Sequence, residues 1–157
     1  SLVQNGETIY IDSGTTTELM IKYLKNKDIT IVTTNTQVVN QLEDTKFECI
    51  LIGGEIIKNL GSAVGPLTDR LLSEFHFNRA FIGANGYSEM NGISTYDLRE
   101  ANKKKIVKMN SDNVYVLLDS TKIGKNAVCK VFDMKDVLLI TDKMNDVLKK
   151  YDNYIIV

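Results

Sequence analysis

The stretch Thr8–Leu24, TIYIDSGTTTELMIKYL, decides how the rest of the chain is read. A short apolar strand, Thr8–Ile11, runs into Asp12-Ser13-Gly14-Thr15-Thr16-Thr17 and then directly into a helix marked by Leu19, Met20, Tyr23 and Leu24. The first turn of a helix leaves its N–H groups free and carries partial positive charge, so such a junction suits a small anion. Gly14 lets the backbone approach closely, while Ser13, Thr15, Thr16 and Thr17 offer hydroxyl donors. The turn holds no lysine and no GxGxxG spacing, which excludes a Walker-type nucleotide loop and a dinucleotide site. An ordinary helix cap would use the same residue types, so this segment by itself stays open between a cap and a phosphate cradle.

With 157 residues, 43% hydrophobic and 25% charged, the chain fits one domain with a single core burying roughly 70% of its unfolded surface. The 19 basic and 20 acidic residues leave a net charge of −1, so no global field draws the chain to a nucleic-acid backbone. No apolar run reaches the ~20 residues that span a bilayer, and the reading is cytoplasmic. Cys49 and Cys129 have no CxxC or Cys/His spacing and read as reduced structural thiols. Ser1–Gly6 reads as the end of a helix stopped by Gly6, with its beginning missing.

Further apolar strands are expected at Ile29–Thr33, Phe47–Ile52, Ala80–Gly83, Val114–Leu118, Val137–Thr141 and Tyr154–Val157. Helical spacing appears between them at Val38, Val39 and Leu42, and at Leu67, Leu71, Leu72 and Phe75 behind Pro66. Alternation of strand and helix predicts an α/β fold with a largely parallel sheet and helices on both faces. Ligands of such sheets collect at the carboxyl ends of the strands, where the Asp12–Thr17 turn falls. Three more clusters follow strands: Gly53-Gly54-Glu55, Ala84-Asn85-Gly86-Tyr87, and Asp119-Ser120-Thr121-Lys122-Ile123-Gly124-Lys125. Taken singly they read as a bulge or tight turn, a turn leading to a helix capped by Thr95 or Asp97, and a solvated loop. That helix, from Asp97 through Glu100 and Ala101, is expected to show solvent a charged face. Tyr87 and Tyr96 read mainly as packing, with pocket walls as the lesser reading. His76, the only histidine, has no partners for a metal site or a triad.

In this order the segments resemble the C-terminal sensor domain of DeoR-type bacterial transcriptional repressors over nearly the whole chain, 1–157. The matching pieces are Asp12-Ser13-Gly14-Thr15-Thr16, Thr34-Asn35, Gly53-Gly54, Phe81-Ile82-Gly83-Ala84-Asn85-Gly86, Glu100-Ala101 and Asp119-Ser120-Thr121-Lys122-Ile123-Gly124. The resemblance implies a three-layer fold similar to ribose-5-phosphate isomerases and coenzyme A transferases, and a phosphorylated sugar as effector. Fructose 1-phosphate and tagatose 6-phosphate are the candidates. It places the phosphate on Ser13, Gly14, Thr15 and Thr16, and the sugar among Asn35, Gly53, Gly54, Asn85, Glu100 and Lys122. Asp12, a carboxylate that would repel phosphate, is assigned to fixing the loop, and Asp119 to supporting the Lys122 loop. The same resemblance implies operator DNA as a partner through a helix-turn-helix domain ahead of Ser1, a homodimer or homotetramer, and no cofactor or metal.

The rival is a sugar-phosphate isomerase, because Leu98-Arg99-Glu100 looks like the segment carrying the general base of those enzymes. Their acidic motif after the preceding strand is replaced here by Gly83-Ala84-Asn85-Gly86, and their lysine-glycine run by Gly92-Ile93-Ser94-Thr95-Tyr96. The expectation is therefore binding without turnover.

Overall fold

A computed structural model describes residues 2–157. In chain order the elements are β1 Thr8–Ile11, α1 Thr15–Leu24, β2 Thr30–Thr33, β3 Glu48–Leu51, β4 Glu55–Ile57, β5 Ser62–Val64 and α2 Pro66–Leu72. There follow β6 Phe77–Gly83, β7 Gly86–Ser88, β8 Gly92–Thr95, α3 Leu98–Met109, β9 Ser111–Leu117, β10 Cys129–Phe132, β11 Leu138–Thr141 and β12 Tyr154–Ile156. Short 3-10 turns, Thr36–Gln41 and Ser120–Lys122 among them, link these elements.

Side chains alternate across each central strand, and this alternation builds the layers. Ile9 and Ile11 of β1 point into one apolar cluster while Tyr10 points into the other, and Phe81 of β6 opposes Ala80 and Ile82 in the same way. Buried on both faces, such strands pair in parallel. With the more exposed edge strands β3 and β12 they make one seven-stranded sheet in the order β12-β11-β9-β6-β1-β2-β3, with every pairing parallel. Ile21 and Leu24 of α1 cover one face; Leu72 of α2 and Ala101 and Val107 of α3 cover the other. The expected single core is thus two clusters separated by the sheet.

All seven expected strands are in that sheet. From β1 the chain steps outward to β2 and β3, then returns to pair β6 on the other side of β1 and continues to β12. The order therefore reverses between β1 and β6, the kind of crevice where open α/β sheets hold ligands. Asp12 N donates to Phe81 O at 2.9 Å and Gly83 N to Asp12 Oδ2 at 3.2 Å, which fastens the two strand ends.

Several expectations are corrected. Residues 2–4 are not helical; Val3 is buried and Gly6 turns the chain at φ +85°, while Ser1 lies outside the described residues. Val38 and Val39 belong to a 3-10 turn, with Val39 exposed. On α1 the buried stripe is Thr17, Ile21 and Leu24, and the apolar Leu19 and Tyr23 face outward. The apolar run around Cys129 is the strand β10, whereas β4, β5, β7 and β8, which complete the antiparallel pair β4-β5 and trio β10-β8-β7, had no expectation, because they are short and lie among glycines. Asp97, not Thr95, caps α3: its carboxylate accepts from Arg99 N at 2.8 Å and Glu100 N at 3.4 Å.

Because α3 carries site residues in its first two turns, this cap is expected to matter for their placement. Asp97→Ala should cost about 1 kcal/mol, read as a lower midpoint in urea with an unchanged slope.

Candidate functional site

A cleft of about 420 Å³ opens at the carboxyl ends of β1, β6 and β9, bounded by the first turn of α1, the start of α3 and the β4–β5 turn. Ser13, Gly14, Thr15 and Thr16 line it. Gly14, at φ +144°, is the N-cap of α1, and no side chain caps the helix. The neighbouring hydroxyls are engaged elsewhere: Ser13 Oγ pairs with Thr34 Oγ1 at 3.1 Å, and Thr17 Oγ1 donates to Asp12 O at 2.7 Å. The first-turn N–H groups and the exposed Thr15 and Thr16 therefore face the cleft without a side-chain cap.

Asn85, Glu100 and Lys122 line the same cleft. Asn85 is oriented by Thr95, whose hydroxyl donates to its Oδ1 at 2.6 Å. Lys122 ends a 3-10 turn that Asp119 caps by accepting from Thr121 N at 2.8 Å.

Asn35, Gly53 and Gly54 are not brought to the cleft wall. Asn35 is buried at the head of the 3-10 turn, with Oδ1 accepting from Gln37 N at 2.9 Å and Nδ2 unpartnered among the described residues. Gly53 O accepts from Thr68 Oγ1 at 2.7 Å. A Cβ on Gly54, at φ +155°, would collide with that same hydroxyl and lie 2.8 Å from Val64 O. Gly54 thus admits α2 and β5 to the strand end, whereas a Cβ on Gly53 would meet nothing within 4 Å. Tyr87 is buried, with its hydroxyl on Tyr151 at 2.7 Å, and Tyr96 is exposed; neither forms a cleft wall. His76 pairs with Asp112 at 3.0 Å at the start of β6, away from the cleft.

The α3 face expected to meet solvent is instead the floor of the site. Asp12, Glu100, Lys103 and Lys104 are all buried. Lys104 Nζ donates to Asp12 Oδ2 at 2.5 Å and Glu100 Oε2 at 3.0 Å. Lys103 Nζ donates to Glu100 Oε1 at 2.9 Å, Ser62 Oγ at 2.7 Å and Thr34 Oγ1 at 3.0 Å. Ser62 Oγ donates in turn to Glu100 Oε1, and Tyr10 OH to Asp12 Oδ1. Asp12 thus fixes the loop by gathering α3 and β6 onto it. Burial alone would raise the Glu100 carboxyl, but the charges of Lys104 and Lys103 and the Ser62 hydrogen bond outweigh it and hold it at about 2. Burial works to lower the Lys104 ammonium, and the Asp12 and Glu100 charges more than reverse this.

Sequence reasoning missed Lys103, Lys104 and the β4–β5 turn residue Lys58, which also line or underlie the cleft, while Gly61, one of the glycines read as allowing a close backbone approach, lines it as well. The signal available was the interleaving of Lys103 and Lys104 with Ala101 and Val107 on one helical face.

The Glu100 carboxyl is depressed on folding, so its stabilisation is complete above its unfolded value near 4.5 and is lost as pH falls through about 2. Urea unfolding between pH 6 and pH 2 should show a loss on the order of 3 kcal/mol from this group. Glu100→Gln should flatten that part of the profile.

The chain matches the family model described as "DeoR C terminal sensor domain" over residues 1–143. It is 30% identical over 155 residues to the uncharacterized HTH-type transcriptional regulator FruR of Bacillus subtilis, covering 98% of this chain and 61% of that one. It is also 30% identical over 158 residues to the lactose phosphotransferase system repressor of Streptococcus mutans, at 98% and 62% coverage. The glycerol-3-phosphate regulon repressor of Escherichia coli K12 is 34% identical over 130 residues, covering 80% of this chain and 51% of that one. The chain thus spans less than two thirds of the length of these regulators. Among solved structures, ribose 5-phosphate isomerase A of Methanocaldococcus jannaschii superposes with a TM-score of 0.52 at 21% identity, over 78% of this chain and 48% of that one. That likeness, too distant to speak of activity, agrees with the three-layer fold. On the family match and on the cleft at the β1–β6 reversal, the chain belongs to the DeoR C-terminal sensor domain family.

Proposed function

We propose that this chain is the effector-sensing part of a transcriptional repressor of sugar metabolism, and that a phosphorylated sugar binds in the cleft. The observation that carries this reading is that the uncapped N-terminus of α1, Asn85, Glu100 and Lys122 share one cavity of about 420 Å³. An anion at the helix terminus meets free N–H groups and the positive end of the dipole, and Lys122 adds a cation from the β9 side. The relatives named for lactose phosphotransferase and glycerol-3-phosphate regulation support a phosphorylated effector. Fructose 1-phosphate and tagatose 6-phosphate are the candidates. Operator binding is assigned to a helix-turn-helix domain outside this chain, acting in the cytoplasm as a homodimer or homotetramer.

The isomerase reading is weaker on chemical grounds. An enediol mechanism needs a base that takes a carbon-bound proton near neutral pH. Glu100, with its pKa at about 2 and both oxygens already accepting hydrogen bonds, has little driving force for that step.

The reading is tested by thermal-shift titration with sugar phosphates, each paired with its unphosphorylated sugar and with inorganic phosphate. At a hundredfold excess over Kd a true effector should stabilise by ~2.7 kcal/mol, roughly 5 to 10 °C. It should be recovered unconverted; conversion to an isomer would establish an enzyme instead. Thr15→Arg should obstruct the cradle and abolish the shift while the unliganded midpoint stays close to wild type, and an unchanged shift would sink the phosphate assignment.

A further inference from the structure

Lys103 and Lys104 are neighbours on α3 and share the same two carboxylates, yet their ammonium groups are satisfied to different degrees. Lys103 is sealed, with no side-chain exposure. Its Nζ faces four acceptors: Glu100 Oε1 at 2.9 Å, Ser62 Oγ at 2.7 Å, Thr34 Oγ1 at 3.0 Å and Ala63 O at 3.2 Å. An ammonium has three N–H groups, so Lys103 is fully used. Lys104 has two acceptors, Asp12 Oδ2 and Glu100 Oε2, and no third within hydrogen-bond distance among the described residues. Its side chain is 4% exposed and lines the cleft.

Glu100 shows the matching asymmetry. Oε1 accepts from Ser62 and Lys103, whereas Oε2 accepts only from Lys104 and keeps a lone pair. One spare donor and one spare acceptor, both anchored by buried charges, therefore sit side by side at the floor of the cleft.

Resting on the sugar-phosphate reading above, we propose that Lys104 is a ligand-contacting residue that, paired with Glu100, selects a hydroxyl of the bound sugar. A hydroxyl satisfies both groups at once, accepting from Lys104 and donating to Glu100. A phosphate dianion has no proton to donate and would face the Glu100 charge. The quartet of Asp12, Glu100, Lys103 and Lys104 carries two positive and two negative charges, so Lys104 offers a hydrogen bond there without adding a net charge. The ligand is thereby oriented, with its anionic end at α1 and its hydroxylated carbons over α3. A site that hydrogen-bonds a hydroxyl rejects a molecule lacking it, because its own buried groups are then left unpaired. Lys104 thus separates a sugar phosphate from free phosphate.

The test uses the whole chain with fructose 1-phosphate, tagatose 6-phosphate and inorganic phosphate as probes. In Lys104→Met the affinity for the sugar phosphate, relative to inorganic phosphate, should fall about tenfold or more. Because that variant leaves two carboxylates facing one lysine, Asp12→Asn combined with Lys104→Met keeps the charges balanced and serves if the single variant does not fold. A readout that a purely structural lysine would not move is the nitrogen-15 ammonium resonance of Lys104 in the wild-type chain, identified by its loss in the variant. It should shift on adding the sugar phosphate and stay in place with inorganic phosphate. A sugar phosphate that binds the wild type yet leaves this resonance unmoved, with its preference over inorganic phosphate intact in the variants, overturns the role of Lys104 alone. Binding of no sugar phosphate in thermal-shift titration overturns the sensor reading, and this inference with it.

Discussion

Two lysines and two carboxylates packed out of water beneath the cleft are the constraint on which the rest of this structure depends. Moving such charges from water costs several kcal/mol per ion, and attraction repays it only when geometry and hydrogen bonds are complete. Here they nearly are: Asp12 and Glu100 each meet both lysines within 4.0 Å, and Thr34, Ser62 and Tyr10 fill remaining positions. The cost of an incomplete set is what fixes the parts relative to one another. Asp12 belongs to the β1–α1 loop, Thr34 follows β2, Ser62 lies on β5, and Glu100, Lys103 and Lys104 lie on α3. A displacement of α3 would unpair charges that are almost wholly withdrawn from water. The helix is thereby held against the β1–β6 reversal more firmly than apolar packing alone requires.

This balance also shapes the field in the cleft. A floor of equal and opposite charges contributes directionality and no net charge. Attraction for an anion therefore falls to the α1 terminus and to the rim lysines, Lys58 and Lys122, neither of which forms an ion pair among the described residues. Glu18, which also lines the cleft, is drawn aside by a 2.8 Å hydrogen bond from Gln41.

The parallel sheet was legible because each of its strands is a short apolar run, and the β1–α1 edge of the cleft because Gly14 and its hydroxylated neighbours follow β1 directly. What escaped was set by tertiary contact. Lys103 and Lys104 look like an ordinary solvated helical run until Asp12, 92 residues from Lys104, is folded onto them. Leu19 and Tyr23 satisfied helical spacing as well as Ile21 and Leu24 did, and only the position of the sheet decided which pair was buried. Gly53 and Gly54 follow a strand as a ligand loop would, yet the close approach that Gly54 permits is that of Thr68 and Val64. Spacing reveals that a backbone must come near something; it does not say whether that is ligand or protein.

The position of the cleft bears on how occupancy could be communicated. Its lining comes from α1, packed in one core cluster, and from α3, packed in the other across the sheet. A ligand shifts a conformational equilibrium only through contacts that differ between the two states. One held wholly by α1 would move with that layer and leave the relation between layers unchanged. One that takes the α1 terminus with its anion and the Lys104–Glu100 pair with its hydroxyls contacts both layers, so its affinity depends on their relative placement. The junction it would bridge is tied by Lys104 to Asp12 and by Ser13 to Thr34, and these are the bonds through which such a preference reaches the helix and the strands.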